Sequence, residues 1–313
     1  MLETRRGFHY KTSHSASCEG LIVPKTAMET PEIKTDIVQQ HRFRLHDYAI
    51  LLKPRVMSLV VFTGACGLIL APGFVGLDTA IIAVICIAAG AGASGAINMW
   101  YDEDIDRIMR RTQNRPIPAG RMNPREALIF GSFLSVGSVA TMYLFVNFAA
   151  ATLLALTILY YVFIYTIWLK RRTPQNIVIG GASGAFPPMI GWAAVTGDIG
   201  LGAIALFTII FLWTPPHSWA LALFRRGDYA AADVPMMPVV AGERETKRQI
   251  LVYTVLLIAS TLSPVAVGMS GAVYGMIALV LGIEFGRRCW RVWKSEEEQE
   301  KTAKPLFLFS IFY

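Results

Sequence analysis

Thr79-Ala-Ile-Ile-Ala-Val-Ile-Cys-Ile-Ala-Ala-Gly90-Ala-Gly-Ala-Ser-Gly-Ala96-Ile-Asn98-Met-Trp-Tyr101-Asp102-Glu-Asp-Ile-Asp106 sets an uncharged run directly against a cluster of acids. From Thr79 to Tyr101 the run is long and apolar enough to cross a bilayer as a helix. Asn98, Asp102 and Asp106 then follow at i, i+4 and i+8, so on a helix they share one slowly drifting stripe. Carboxylates at the mouth of a membrane helix are costly unless something cationic meets them. One turn apart, they also raise each other's pKa unless a cation holds both ionised. Two readings are open: a helix end with scattered, solvated acids, or a divalent metal with something anionic on its far side. The second organises the rest of the chain.

Working outward, 54% of the residues are hydrophobic and only 16% charged, against about 25% charged in a soluble domain. The apolar residues fall in long uncharged blocks, the pattern of an all-α polytopic membrane protein. Lys53-Pro54-Arg55 opens the first span, Val56 to Phe74, with proline in the first turn and cations at the headgroups. Span two is Thr79 to Tyr101. Its small-residue half, Gly90 to Ala96, lets helices approach closely or leaves room for a ligand. The block from Ala127 to Leu169 suits two spans turning at Asn147, closed by Lys170-Arg-Arg172. Span five, Asn176 to Val195, holds Gly180, Gly181, Gly184, Pro187, Pro188 and Gly191 and is expected to kink or break. Span six, Gly202 to Phe224, is expected to be interrupted at Pro215-Pro216-His217. Ile250 to Val267 and Ala272 to Trp293 give spans seven and eight. After a charged linker, Lys294 to Lys304, Pro305 to Tyr313 is too short to cross as a helix. It is a shallow interfacial segment or a ninth span cut short, and the second reading makes a nine-helix bundle with a truncated last helix.

Residues 1–45 are polar and read as a disordered cytosolic tail ahead of a transmembrane domain, 46–313. Arg5, Arg6 and Lys11 among serines suggest a mitochondrial transit peptide, against which stand Glu3, Glu19, Glu29, Glu32 and Asp36. The turns near Asp78, Asn147, Asp198 and Ser270 hold no Lys or Arg, while all 29 Lys and Arg lie in the tail, in the alternate loops or near their span ends. That asymmetry puts the tail in the cytoplasm. It explains the net charge of +7 without nucleic acid; the lipid bilayer, through its anionic headgroups, is the partner of some of those arginines. Cys18, Cys66, Cys86 and Cys289 show neither metal-ligand nor redox spacing.

The loop after the acids carries Arg107, Arg110, Arg111, Arg115, Arg121 and Arg125, with Pro116, Pro118 and Gly120 breaking any helix. One or two carboxylates that leave positions for phosphate oxygens are the usual manner of binding Mg²⁺, and arginine adds bidentate phosphate contacts. Asn98, Asp102 and Asp106 with Arg107, Arg110, Arg111 and Arg115 thus suggest a diphosphate site, and the apolar bundle beneath suits an isoprenyl tail. A metal there favours departure of diphosphate and an allylic cation. Trp100, Tyr101, Tyr165 and Trp219 offer ring faces to that cation, the alternative for each being an interface-belt residue.

The run Asn98-x-x-x-Asp102-x-x-x-Asp106 followed by Arg110-Arg-Thr-x-x-Arg115-Pro-Ile-Pro-x-Gly120 resembles the intramembrane aromatic (UbiA-type) prenyltransferase superfamily. Lys53-Pro-Arg-Val-Met-Ser58, Tyr165 through Gly181, Trp213-Thr-Pro-Pro-His217-x-Trp-Ala-Leu-Ala and Asp228-Tyr229 through Val240 are similar to its haem-farnesylating branch. The likeness covers residue 45 to the end. It implies nine helices around a lipid-open cavity, farnesyl diphosphate as donor, haem B as acceptor and Mg²⁺ as cofactor. The farnesyl group would join the 2-vinyl group with addition of water. The haem O product would feed terminal oxidases, with haem A synthase or oxidase-assembly proteins as partners. The superfamily's second Asp-x-x-x-Asp is missing: the loop after span six offers Arg225, Arg226, Asp228, Tyr229 and Asp233. Arg225 and Arg226 then neutralise diphosphate directly, and Asp228 is either a lone metal ligand or their ion-pair partner. His217 either ligates or orients the haem or bonds a carbonyl freed by the prolines. Lys170, with Tyr165, either contacts diphosphate or snorkels.

Three rivals remain at this level: another acceptor such as a quinone precursor or chlorophyllide, an ion-coupled transporter, and a membrane scaffold. Transporters place such acids near the bilayer midplane, whereas these stand at the mouth beside six arginines. A scaffold leaves the acids unexplained. The acid-rich tail favours a bacterial inner membrane over a mitochondrial one.

Overall fold

Helices begin where the sequence supplies a proline or an asparagine cap. Asn123 accepts a hydrogen bond from the Arg125 N–H at 2.9 Å, and Asn147 accepts one from Ala150 at 2.8 Å. The computed structural model describes residues 44–296 and 299–313; the polar tail and its transit-peptide alternative fall outside the described residues. Among these every regular element is helical: α1 (Leu45–Leu51), α2 (Pro54–Leu70), α3 (Leu77–Tyr101), α4 (Glu103–Ile108), α5 (Pro124–Phe145), α6 (Phe148–Leu159) with a π-helical continuation (Tyr160–Leu169), α7 (Asn176–Thr196), α8 (Leu201–Phe224), α9 (Arg226–Ala231), α10 (Met237–Val240), α11 (Gly242–Thr261), α12 (Ser263–Ala266), α13 (Ala272–Lys294) and α14 (Gln299–Phe312).

Six of these helices are long and apolar enough to cross a bilayer, or seven if α1 and α2, which meet at 56°, form one broken span. Eight were expected from the apolar blocks. The difference includes α13, whose second half carries Glu284 paired to both Arg287 and Arg288 at 2.8 Å. The first span stops at Leu70 rather than Phe74, where Ala71-Pro72 turns the chain.

Two apolar cores meet along α7 and α8. One unites α3, α6 and α7 around Ile87, Leu154 and Ile190; the other unites α8, α11, α13 and α14 around Trp219, Leu257, Phe285 and Leu306. α7 packs against α2 on one side and α8 on another. At the α2–α7 contact a Cβ on Gly67 would overlap the Pro188 carbonyl, and one on Gly191 would overlap the Gly64 carbonyl, so only glycine allows this approach.

The expected interruptions are absent. α7 runs unbroken through Pro187 and Pro188, and α8 through Pro215 and Pro216. All four prolines are buried, and packing on neighbouring helices outweighs the roughly 3 kcal/mol that an interior proline costs. The charged linker is also partly helical, since α14 starts at Gln299. It docks on α8 and α13, burying Ala303, Leu306 and Ser310, and the Arg288 guanidinium lies 4.4 Å from the Phe309 ring centroid. The loops after α3 and α8 share a small core of their own, Ile105 and Met109 against Ala222, Ala232, Val234 and Met236.

Candidate active site

The end of α3 and the short α4 carry the acidic stripe. Asp102 closes the first helix, its N–H bonded to the Asn98 carbonyl at 3.0 Å, and opens the next, accepting the Asp106 N–H at 2.8 Å. Asn98, Asp102 and Asp106 are 4%, 0% and 2% exposed, which excludes scattered, solvated acids. A buried carboxylate needs a partner, and each one here has a cation. Lys170 donates to Asp102 Oδ2, as does Asn98 Nδ2 at 2.6 Å. Arg115 Nη1 donates to Asp106 Oδ2 at 2.6 Å. Lys53 Nζ donates to Asn98 Oδ1 at 2.6 Å. Asp102 Oδ1 is buried with no hydrogen-bond donor, Arg171 Nη2 standing 3.6 Å away.

Local geometry explains how these groups arrive. The loop after α4 turns back because Thr112 Oγ1 donates to the Asp106 carbonyl at 3.0 Å, and Pro116 and Ile117 are buried beneath it. That return swings Arg115 onto Asp106. Lys170 arrives through the π-helical segment. Nine residues separate it from Tyr161, about two and a half turns of an α-helix, which would set the two on opposite faces. The wider i→i+5 turn makes about two turns of the same stretch and brings both to one side. Thr166 in the same segment accepts from Asn98 Nδ2 at 3.3 Å.

The other candidates separate into those at the site and those beside it. Arg171 grips Asp104 with two bonds of 2.7 Å and lies over the Tyr101 ring at 4.9 Å; these bonds hold the Asp104 carboxyl below its usual range. Arg107 pairs with Glu103 at 2.5 Å on the surface. Arg110 and Arg111 are exposed. Tyr229 of α9 packs on the cluster that holds Ile105 and Met109, and burial raises its phenol while the charges of Arg111 and Lys170 pull against it. Arg225, between α8 and α9, stands 3.9 Å from Asp228, and Arg226 pairs with Glu243 at 3.2 Å. Among the described residues no three His, Cys, Asp or Glu side chains converge on a metal position.

Below Lys53 lies a cavity of about 150 Å³ lined by Val56, Val60, Gly90, Ser94, Tyr161 and Gly184, among others. Gly90, Ala91 and Ser94 of the small-residue run thus leave room here, while Gly92 and Gly95 of the same run pack on Leu51 and Leu52. Of the aromatic candidates, Tyr165 packs on Tyr161, ring centroids 5.2 Å apart. Trp219 is fully buried, edge-on to Tyr253, and neither it nor Trp100 lines this cavity.

A second cavity, about 480 Å³, opens between α2, α8 and α14 and is lined by Trp213, His217, Tyr274 and Ser310, among others. The His217 ring is sandwiched by Trp213 at 4.2 Å and Phe307 at 4.6 Å. Its Nδ1 meets Ser310 Oγ at 2.7 Å, and that hydroxyl donates its proton to the Phe307 carbonyl at 2.6 Å. Nδ1 must then be the donor to Ser310 in the neutral ring, leaving Nε2 with a bare lone pair. The bond is to a serine on another helix rather than to a proline-freed carbonyl.

Sequence reasoning missed Lys53, Arg171, Tyr161, Thr166 and Ser310 as parts of these two sites. Lys53 read as a headgroup anchor; its left-handed backbone, φ 50°, turns it inward at the break between α1 and α2. Ser310 carried no signal, because its role arises from a helix 93 residues away.

Residues 59–311 match the profile of the UbiA prenyltransferase family. Over 269 residues the chain is 57% identical to the protoheme IX farnesyltransferase of Brucella ovis, covering 85% of this chain and 86% of that one. Among solved structures, one of digeranylgeranylglyceryl phosphate synthase superposes with a TM-score of 0.71 at 20% identity, covering 86% and 93% of the two chains. A UbiA homolog from Archaeoglobus fulgidus bound to GPP and Mg²⁺ gives 0.64 at 15%, covering 85% and 96%. At those identities the two structures speak for the fold alone.

Proposed function

Because the chain belongs to the UbiA prenyltransferase family, we propose that it transfers the farnesyl group of farnesyl diphosphate to the 2-vinyl group of haem B, giving haem O and diphosphate. The acceptor follows from the 57% identical relative; the observation that carries the chemistry is the buried Asn98–Asp102–Asp106 array at the head of an apolar cavity. The C1–O bond of the donor breaks and diphosphate keeps the electron pair. The terminal carbon of the vinyl group bonds to C1, and the cation left on its inner carbon takes up water and releases a proton.

Mg²⁺ fits this site through Asp102 Oδ1, the buried oxygen with no donor, with Asp106 and Asn98 beside it. When bound, it neutralises and stabilises the departing diphosphate. Lys170, Arg115 and Lys53 now rest on Asp102, Asp106 and Asn98. We assign them to the diphosphate oxygens once the substrate is present, with Arg107, Arg110, Arg111, Arg225 and Arg226 around the mouth. Tyr161, and Tyr165 behind it, present ring faces to the allylic cation. His217 Nε2 ligates the haem iron from the second cavity. The protein is a multi-pass membrane enzyme; its Lys and Arg distribution supports an N-terminus in the cytoplasm, and its acid-rich tail supports a bacterial inner membrane.

The test is conversion by the purified chain in detergent. Haem B, farnesyl diphosphate and Mg²⁺ should give haem O by mass, and chelation should stop the reaction. Prenylation of 4-hydroxybenzoate instead would overturn the acceptor assignment. Turnover in detergent, where no gradient exists, excludes transport as the primary role.

A further inference from the structure

We infer that Gly184 is the threshold between a donor chamber and an acceptor chamber, the point over which C1 of the prenyl chain meets the acceptor's vinyl group. The inference rests on the reaction assigned above and deepens it. Four glycines stud α7, and three have a packing reason. A Cβ at Gly180 would overlap the Tyr165 ring, one at Gly181 would come within 2.8 Å of the Thr214 side chain, and one at Gly191 would overlap the Gly64 carbonyl. At Gly184 a Cβ would meet nothing within 4 Å among the described residues. A mid-helix glycine is less stable than alanine, so neither helix propensity nor packing asks for glycine here.

Open space does account for it. Gly184 is exposed between buried Ser183 and Ala185, and the space it faces belongs to both cavities. Among the described residues only Val56 and Val60, on the facing wall of α2, share that position. The chamber on one side ends at Lys53, bonded to Asn98 beside the carboxylates. The chamber on the other side holds His217 and Trp213. An anionic headgroup belongs with the first and a flat aromatic acceptor with the second. The reacting carbons therefore have to meet where the chambers join, and a side chain at position 184 would stand between them.

The experiment uses the full chain in detergent with Gly184→Ala and Gly184→Leu, and three readouts: haem B binding by its Soret band, binding of labelled farnesyl diphosphate, and the rate of haem O formation. Gly184→Leu should keep both affinities within about threefold while transfer falls about 100-fold, the scale of an ångström-level misplacement of reacting atoms. Gly184→Ala, one methyl, should fall between Leu and the unmutated chain. Transfer by Gly184→Leu at the unmutated rate would overturn the inference, as would equal loss of binding and transfer. Should Gly184→Leu fail to assemble, Val56→Phe on the opposite wall carries the same test, supporting the threshold if transfer alone is lost and overturning it if transfer is unchanged. If the unmutated chain binds both ligands but makes no haem O, it is the reaction assignment that fails and the threshold with it, a result distinct from a variant that turns over normally.

Discussion

Replacing Lys170 by methionine tests whether the protein's own cations stand in for a metal. Asp102 is 0% exposed and takes its full positive partner from Lys170, itself 19% exposed. Removing one member of a buried pair costs about 3–5 kcal/mol. The lower end applies here, because Asn98 still donates to the same oxygen at 2.6 Å and Arg171 remains 3.6 Å from the other. About 3 kcal/mol corresponds to a fall of about 5 °C in the unfolding midpoint of a 313-residue chain, at about 2.1 cal/mol/K of unfolding entropy per residue. An ion that binds the folded state alone at a hundred times its dissociation constant returns about 2.7 kcal/mol. Mg²⁺ should therefore restore most of the loss in Lys170→Met. It should raise the unmutated midpoint less, because there it must displace an ammonium already in place. The assay is thermal unfolding in detergent with chelator or with Mg²⁺. A midpoint untouched by the substitution, or raised equally by Mg²⁺ in both proteins, would refute the reasoning.

Asp102→Ala and Asp106→Ala should each lower haem O formation by more than about 100-fold, and near-normal yield in either would remove the metal assignment. Asn98→Ala should shift the Mg²⁺ titration of activity more than the unfolding midpoint; an unmoved titration counts against it as a ligand. His217→Ala should weaken haem B binding with farnesyl diphosphate affinity unchanged. Ser310→Ala should do the same by about tenfold or more through loss of the Nδ1 anchor, with Ser310→Thr recovering it; equal loss of both substrates would assign these residues to folding.

The spacing of Asn98, Asp102 and Asp106 was legible because four-residue steps on a helix fix a face whatever surrounds it, and the structure keeps all three together. The helices of the apolar blocks were legible for a similar reason, since lipid leaves the backbone no partner but itself. The prolines of α7 and α8 misled, because propensity is local while the packing that overrides it is not. α13 forms where the apolar block placed a helix, Ala272–Lys294, with the Glu284 ion pairs in its second half. The π-helical segment leaves no mark in composition, and it decides which face Lys170 takes.

The sequence by itself determined an all-helical membrane chain, the end at which its acids and arginines gather, and the class of chemistry they suit. Those are properties of periodicity and charge along the chain. Only the tertiary structure decided that Lys53, Arg115 and Lys170 are the cations on the acidic array, that Ser310 sets the His217 tautomer, and that two cavities join at Gly184. Each of these depends on side chains or surfaces from different helices, and the distance between helices is set by packing, which no stretch of sequence carries alone.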